Sequence, residues 1–78
     1  MAAKKTVLFV CTGNVCRSPM AAGLFFDRLV RDNAQRAVRV RSAGTWALED
    51  QPASAYALQV MAERGLDISA HRGHNLTQ

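Results

Sequence analysis

Apolar residues form one dense run and one periodic stretch in the first half of the chain. Residues Thr6 to Val10, "TVLFV", are apolar or β-branched at every position, which is typical of a central strand covered on both faces in a parallel sheet. Apolar residues then recur every three or four positions, which predicts a helix over residues 18–32 with Ser18 as its N-cap and Pro19 at its first position. The predicted core-facing stripe is Met20, Ala21, Leu24, Phe25 and Leu29.

The second half of the chain repeats this order of elements. Residues Val38 to Ser42, "VRVRS", alternate apolar and charged positions, which predicts an edge strand with one face toward solvent. Residues 53–65 predict a second helix, with Ser54 near its start and Gly65 ending it in a left-handed conformation. The β-α-β-α order predicts an α/β fold with a doubly wound parallel sheet. A third strand is missing, so we expect residues 1–78 to be the N-terminal part of a single, truncated domain.

Composition and charge narrow the classes of function. The 78 residues are 49% hydrophobic and 21% charged, which is ordinary for a globular domain. No apolar run approaches the roughly 20 residues of a membrane span, and the N-terminus does not resemble a signal peptide. The net charge is +4, but the basic residues are scattered, which argues against nucleic-acid binding. We therefore predict a cytoplasmic protein with no membrane or nucleic-acid partner.

The segment between the first strand and the first helix carries the candidate chemistry. It reads "CTGNVCRS" from Cys11 to Ser18, and ligands of open α/β folds bind at this edge of the sheet. Unpaired N–H groups at a helix N-terminus form an oxyanion cradle, and Arg17 can hold two oxygens of a phosphate. The same positive field lowers a thiol pKa, so Cys11 is predicted to be a nucleophilic thiolate. The combination predicts phosphoryl transfer through a phosphocysteine.

These residues resemble a known family. The stretch "VLFVCTGNVCRSPMA", from Val7 to Ala21, looks like the phosphate-binding signature of the low-molecular-weight protein tyrosine phosphatases. "RSAGTW" at residues 41–46 and "GLDISAHRGHNLT" at residues 65–77 resemble the same family in the same order. The resemblance implies the phosphotyrosine protein phosphatase I-like fold and hydrolysis of phosphotyrosine or small aryl phosphates. It also implies inhibition by inorganic phosphate and no cofactor or metal.

The resemblance also implies roles for individual residues. Cys11 would be the nucleophile, Arg17 would clamp the phosphate, and Ser18 would donate a hydrogen bond to the Cys11 thiolate. The phosphate-binding loop would comprise Thr12, Gly13, Asn14, Val15 and Cys16. Asn14 would adopt a strained left-handed conformation held by Ser42 and His71, and Trp46 would form a wall of the aryl pocket.

One part of the family's machinery is not found in the sequence. The family protonates the leaving group with an aspartate of a late Asp-Pro loop, whereas none of the four aspartates here is followed by proline: Asp27, Asp32, Asp50 and Asp67. General acid catalysis contributes about 10²- to 10⁴-fold in rate. We therefore expect this chain alone to be a weak or inactive phosphatase.

Other interpretations of single residues stay open. A free cysteine is often a small buried hydrophobe, so Cys16 is either a redox partner of Cys11 or a packing residue. His71 is favoured as a structural hydrogen-bonding residue over a catalyst, and Trp46 as readily covers the core as lines a pocket.

Four other functions compete with a tyrosine phosphatase. Arsenate reductases share the loop but usually have Gln where this chain has Pro19, and arginine phosphatases typically have Thr where it has Val15. An apolar Val15 favours packing on an aryl ring. Two cysteines with His71 and His74 suggest a zinc module, although their spacing is unusual for one. A phosphate- or phosphotyrosine-binding module without turnover is the remaining alternative.

Overall fold

The computed structural model describes residues 5–76, and Thr77, the last residue of the third stretch that resembles the family, lies outside them. Its four elements are β1 (Lys5–Cys11), α1 (Arg17–Arg31), β2 (Val38–Gly44) and α2 (Ala55–Glu63). The β-α-β-α prediction is therefore confirmed. Within the described part, no helix has the length and hydropathy needed to cross a membrane.

The two strands pair in parallel, and their register sets the position of the site. Lys5 lies opposite Val38 at one end, and Cys11 lies opposite Gly44 at the other. The loops that follow β1 and β2 therefore leave the same edge of the sheet, as expected for parallel strands. Helix α1 packs on both strands and α2 packs on α1, with Phe9 of β1 and Phe25 of α1 in an edge-to-face contact.

Strand β1 is covered on one face only within residues 5–76, which corrects the prediction of two covered faces. Leu8 and Val10 are 43% and 44% exposed. Phe9 points the other way, toward α1, because successive side chains of a strand alternate between the faces of a sheet. No described helix packs on the face of the sheet that carries Leu8. The prediction failed because an apolar run shows that a strand can be buried but does not show which of its faces other elements cover.

Helix α1 begins two residues before the predicted first helical position, Pro19. Cys16 occupies the N-cap position without a side-chain cap, and Arg17 is the first helical residue. The prediction of Ser18 as N-cap is therefore wrong, since Ser18 lies inside the first turn with its hydroxyl turned toward the preceding loop. Pro19 is tolerated there because first-turn N–H groups have no partner in the helix. Leu24 of the predicted stripe is 40% exposed, whereas Leu29 is buried.

Helix α2 follows its sequence signals closely. Ser54 is the N-cap, and its hydroxyl accepts a hydrogen bond from the Ala57 N–H at 3.1 Å. Gly65, two residues after the helix, has a φ of 77°, as predicted for the residue that reverses the chain.

Residues 71–76, called the strap below, run past the end of β2. The N–H of Gly44 donates to the carbonyl of His74 at 2.9 Å, and the N–H of Leu76 donates to the carbonyl of Gly44 at 2.7 Å. Gly44 and Asn75 thereby form an isolated parallel bridge. The strap thus lies beside the loop that follows Cys11.

Candidate active site

The Cys11 thiol lies at the carboxyl end of β1, at the mouth of a loop that curls back to α1. Its Sγ lies 3.0 Å from the Ser18 hydroxyl and accepts a hydrogen bond from the Asn14 N–H at 3.2 Å. Two donors therefore converge on the sulfur from residues three and seven positions further along the chain. Such an arrangement stabilises a thiolate.

The environment of Cys11 favours its ionised form. Partial burial raises the pKa of the Cys11 thiol, but the Ser18 hydroxyl and the N–H groups of Ser18, Asn14 and Gly13 outweigh it, so that the pKa is lowered. The thiolate is the nucleophilic form of cysteine. The hydrogen bonds from the loop and from the first turn of α1 therefore favour the thiolate of Cys11.

Asn14 fixes the loop, and it is fully buried in a left-handed conformation with φ 55°. Its Nδ2 donates to the hydroxyls of Ser18 at 2.7 Å and Ser42 at 3.1 Å. Its Oδ1 accepts from the His74 N–H at 3.0 Å, and its carbonyl accepts from Nε2 of His71 at 2.7 Å. These partners come from α1, β2 and the strap, so three parts of the chain hold one strained residue.

Arg17 supplies the positive charge of the site. It is the first residue of α1 and its side chain is exposed. Neither ion pair found among residues 5–76 involves it. A cation at a helix N-terminus opposes the helix dipole, so an anion bound here would relieve repulsion between Arg17 and the unpaired N–H groups of α1.

The loop after β2, residues 45–50, flanks the cradle and is called the wall loop. The Thr45 N–H donates to the carbonyl of Cys11, and the Trp46 N–H donates to the carbonyl of Thr12, both at 2.9 Å. Trp46 is 84% exposed, so it does not cover the core. Its indole is free to contact a ligand beside the phosphate-binding loop.

The other predicted loop residues also lie between Cys11 and Arg17. Val15 is half-buried, and its carbonyl accepts from the Ser54 N–H at 2.7 Å, which ties the loop to α2. Cys16 is half-buried and free, as is Cys11. Across residues 5–76, no three metal-ligating side chains converge. The two histidines of the zinc hypothesis instead bind Asn14. His71 does so through its ring nitrogen and His74 through its backbone N–H.

Sequence reasoning missed residues that act through the backbone. A Cβ on Gly44 would lie 2.6 Å from the Thr12 carbonyl oxygen, so only glycine lets β2 approach the loop this closely. Gly73 of the strap donates to the Gln51 carbonyl at 2.7 Å and accepts from the Asp50 N–H at 2.8 Å. Asn75 binds the wall loop through its side chain. No periodicity signals these contacts, and only the resemblance of "RSAGTW" singled out the segment around Gly44.

Replacing Ser18 by alanine is expected to raise the pKa of Cys11, because the hydroxyl that stabilises the thiolate is lost. The midpoint of the pH dependence of Cys11 alkylation by iodoacetamide, followed by mass spectrometry, should move toward the ordinary thiol value of about 8.5. The pKa of Cys11 is lower in the folded than in the unfolded protein, so ionisation of Cys11 stabilises the fold. This stabilisation is fully present above the unfolded-state pKa of Cys11 and is lost as the pH falls through its folded-state pKa. Ser18→Ala should reduce that pH dependence.

Ser54→Ala is the matched control for this prediction. It removes the N-cap of α2 and should cost about 1 kcal/mol of stability without moving the alkylation midpoint. An equal shift in both variants would show that Ser18 acts through stability alone.

Comparison with known sequences agrees with this geometry. A sequence model described as "Low molecular weight phosphotyrosine protein phosphatase" matches residues 6–78. A probable low molecular weight protein-tyrosine-phosphatase, EpsP, of Ralstonia solanacearum is 49% identical over 94% of this chain and 46% of its own length. A protein-arginine-phosphatase of Geobacillus stearothermophilus is 46% identical over 90% of this chain and 43% of its own length. Arsenate reductase 1 of Staphylococcus epidermidis is 43% identical over 87% and 46%.

Solved structures share the fold. The low molecular weight protein tyrosine phosphatase of T. tengcongensis matches with a TM-score of 0.86 and 45% identity, over 95% of this chain and 50% of its own. Vibrio vulnificus Wzb in complex with benzylphosphonate matches with a TM-score of 0.82 and 32% identity, over 96% and 50%. The chain thus spans about half the length of the relatives and structures it matches.

Proposed function

This chain belongs to the low molecular weight phosphotyrosine protein phosphatase family, and from that membership we propose that the intact protein hydrolyses phosphotyrosine through a phosphocysteine intermediate. The observation that carries the proposal is the convergence of the Ser18 hydroxyl and the Asn14 N–H on the Cys11 sulfur. Arg17, at the start of the adjoining helix, supplies the charge that an oxyanion requires. Nucleophile and anion site coincide, as phosphoryl transfer demands.

The proposed reaction has two steps at one sulfur. The Cys11 thiolate attacks phosphorus, and the P–O bond to the leaving group breaks while Arg17 and the loop N–H groups hold the equatorial oxygens. Water then attacks the phosphocysteine and releases inorganic phosphate, and the Ser18 hydroxyl stabilises the departing thiolate. The product fits the same cradle, so inorganic phosphate is expected to inhibit competitively.

Catalysis also requires a general acid that protonates the leaving group, and the sequence of residues 1–78 does not contain the Asp-Pro sequence that supplies it in the family. The four aspartates of the sequence precede residues other than proline, unlike the family's acid loop. We propose that residues 1–78 form the N-terminal part of the catalytic domain and that, on their own, they turn over about 10²- to 10⁴-fold more slowly than the intact protein. Turnover is therefore to be measured on the intact protein.

Val15 favours an aryl ring over a guanidinium in the proposed substrate. Its side chain is apolar and half-buried in the loop, and the exposed indole of Trp46 offers a second apolar surface. A guanidinium would instead need hydrogen-bond acceptors on the loop. Phosphotyrosine therefore fits better than the phosphoarginine implied by the name of the Geobacillus relative.

Exchanging Val15 for threonine tests this substrate class. The isosteric change replaces an apolar contact by a hydroxyl, so the ratio of kcat/KM for phosphotyrosine to that for phosphoarginine should fall about 10-fold or more. Val7→Thr is the matched control, since Val7 lies on β1 away from the loop. An unchanged ratio in Val15→Thr would remove the reason for preferring phosphotyrosine over phosphoarginine. Binding of phosphotyrosine with neither turnover nor a phosphoenzyme would favour a binding module.

The second thiol suggests a response to oxidants. We propose that Cys16 protects the nucleophile: when peroxide converts Cys11 to a sulfenic acid, the Cys16 thiol displaces water and forms a disulfide. Both thiols are free and half-buried on the same loop. We further propose a cytoplasmic location, where such a disulfide would be reduced again.

A further inference from the structure

Trp46 is fixed by its backbone rather than by packing. Its side chain is 84% exposed, so burial contributes little to its position. Its own N–H donates to the carbonyl of Thr12 at 2.9 Å, and the next N–H, that of Ala47, donates to Oδ1 of Asn75 at 2.6 Å. The position of the Trp46 backbone, from which the indole projects, therefore depends on two consecutive anchors, one in the phosphate-binding loop and one in the strap.

Asn75 is itself held by a carboxylate. Oε2 of Glu49 accepts hydrogen bonds from the Asn75 N–H at 2.6 Å and from its Nδ2 at 3.0 Å. The amide of Asn75 thus accepts from the wall loop at Ala47 and donates to the wall loop at Glu49. These contacts close a clasp of two side chains around the residues that follow Trp46. Neither ion pair within residues 5–76 includes Glu49.

We propose that Asn75 and Glu49 are positioning residues that hold Trp46 against the aryl group of the substrate. This inference rests on the proposed function, in which Trp46 forms a wall of the aryl pocket. The clasp residues make no hydrogen bond to residues 11–18, whose own network centres on Asn14. The clasp therefore sets affinity for the aryl part of a ligand and leaves affinity for the oxyanion unchanged.

Two probes separate these contributions in the intact protein. Inorganic phosphate reports on the cradle alone, and benzylphosphonate reports on the cradle and the aryl wall together. Asn75→Asp places a second carboxylate against Glu49, so the clasp opens by repulsion. We expect the affinity for benzylphosphonate to fall about 3- to 10-fold, the range of one aromatic contact, with phosphate affinity unchanged within about twofold.

A second substitution makes the test reciprocal. In Asn75→Asp combined with Glu49→Gln, the glutamine Nε2 can donate to the new carboxylate, so benzylphosphonate affinity should return toward wild type. Asn33→Asp, an exposed change beyond the end of α1, is the control for added charge. If Asn75→Asp does not fold, Glu49→Ala is the alternative, because it removes the exposed carboxylate that accepts hydrogen bonds from Asn75. It should likewise lower the affinity for benzylphosphonate and leave the affinity for phosphate unchanged.

The outcomes distinguish this inference from the proposed function. Wild-type protein that binds no phosphate overturns the proposed function and the inference with it. If the wild-type protein binds phosphate but Asn75→Asp loses affinity for phosphate and benzylphosphonate equally, the role of Asn75 is merely structural. That result overturns the inference and leaves the proposed function standing. Unchanged benzylphosphonate affinity, or no recovery in the double variant, overturns it as well. A selective loss with recovery supports it.

Discussion

Cys11→Ser in the intact protein is expected to abolish turnover of aryl phosphates while phosphate binding persists. A serine hydroxyl has an ordinary, high pKa and lacks the ionisation that the loop imposes on the thiol. Loss of a covalent nucleophile lowers kcat on the order of 10⁶-fold in a serine protease. The cradle remains, because its N–H groups and Arg17 do not depend on the sulfur.

Arg17→Lys should behave differently, since it weakens binding as well as turnover. An ammonium group cannot make the planar two-point contact of a guanidinium with two phosphate oxygens. Loss of one charge-assisted hydrogen bond lowers phosphate affinity about 10- to 100-fold. Arg28→Lys, an exposed change at the far end of the same helix, should alter neither quantity.

Isothermal titration with inorganic phosphate and steady-state kinetics with p-nitrophenyl phosphate measure both effects. Equal phosphate affinity in Arg17→Lys and wild type would remove Arg17 from the binding site. Residual turnover above a few percent in Cys11→Ser would exclude a phosphocysteine as the main intermediate.

Gly44→Ala is expected to damage the site through the backbone. The new Cβ would lie 2.6 Å from the Thr12 carbonyl oxygen and 2.8 Å from the Ala47 Cβ. Neither atom belongs to a flexible side-chain end, so the phosphate-binding loop itself must move. Overpacking of this kind costs about 1–3 kcal/mol of stability, and a displacement of about 1 Å in a catalytic loop can cost about 10²-fold in rate.

Gly23→Ala is the control that separates stability from site geometry. Its Cβ would meet Ile68 Cγ2 and Met61 Cε at 2.9 Å, which are the ends of flexible side chains away from the site. Thermal unfolding measures the stability of both variants, and only Gly44→Ala should lose phosphate affinity. Equal phosphate affinity in both variants at a temperature where both are folded would contradict the role of Gly44.

Local features of the fold were predictable because neighbouring residues determine them. The Ser54 cap, the left-handed Gly65 and the alternating pattern of β2 depend on contacts within a few positions. The resemblance likewise singled out Cys11 and Arg17, which lie at the end of β1 and at the start of α1, on either side of one loop. Ser18 shows the limit of such reasoning. Its sequence context indicates an N-cap, yet its hydroxyl binds Cys11 and Asn14 instead, because a buried polar network competes for the same group.

The contacts between the strap and the wall loop were not predictable, because they join distant parts of the chain. Asn75 and Glu49 are 26 positions apart, and no hydrophobic period or motif spacing links them. The exposure of Leu8 likewise depends on which elements pack on its face rather than on the residue itself. Backbone donors such as the His74 N–H are available at every non-proline residue, so only the fold selects them.

The partners of Asn14 also bear on how the protein is made. His71 and His74 bind Asn14 from 57 and 60 positions further along the chain, and contacts this distant form only after a large loop has closed. During synthesis on the ribosome, a chain that has not yet reached His71 leaves the Asn14 carbonyl and Oδ1 without these donors. The left-handed conformation of Asn14, which presents its N–H to the Cys11 sulfur, therefore gains its last two hydrogen bonds only after the strap has emerged.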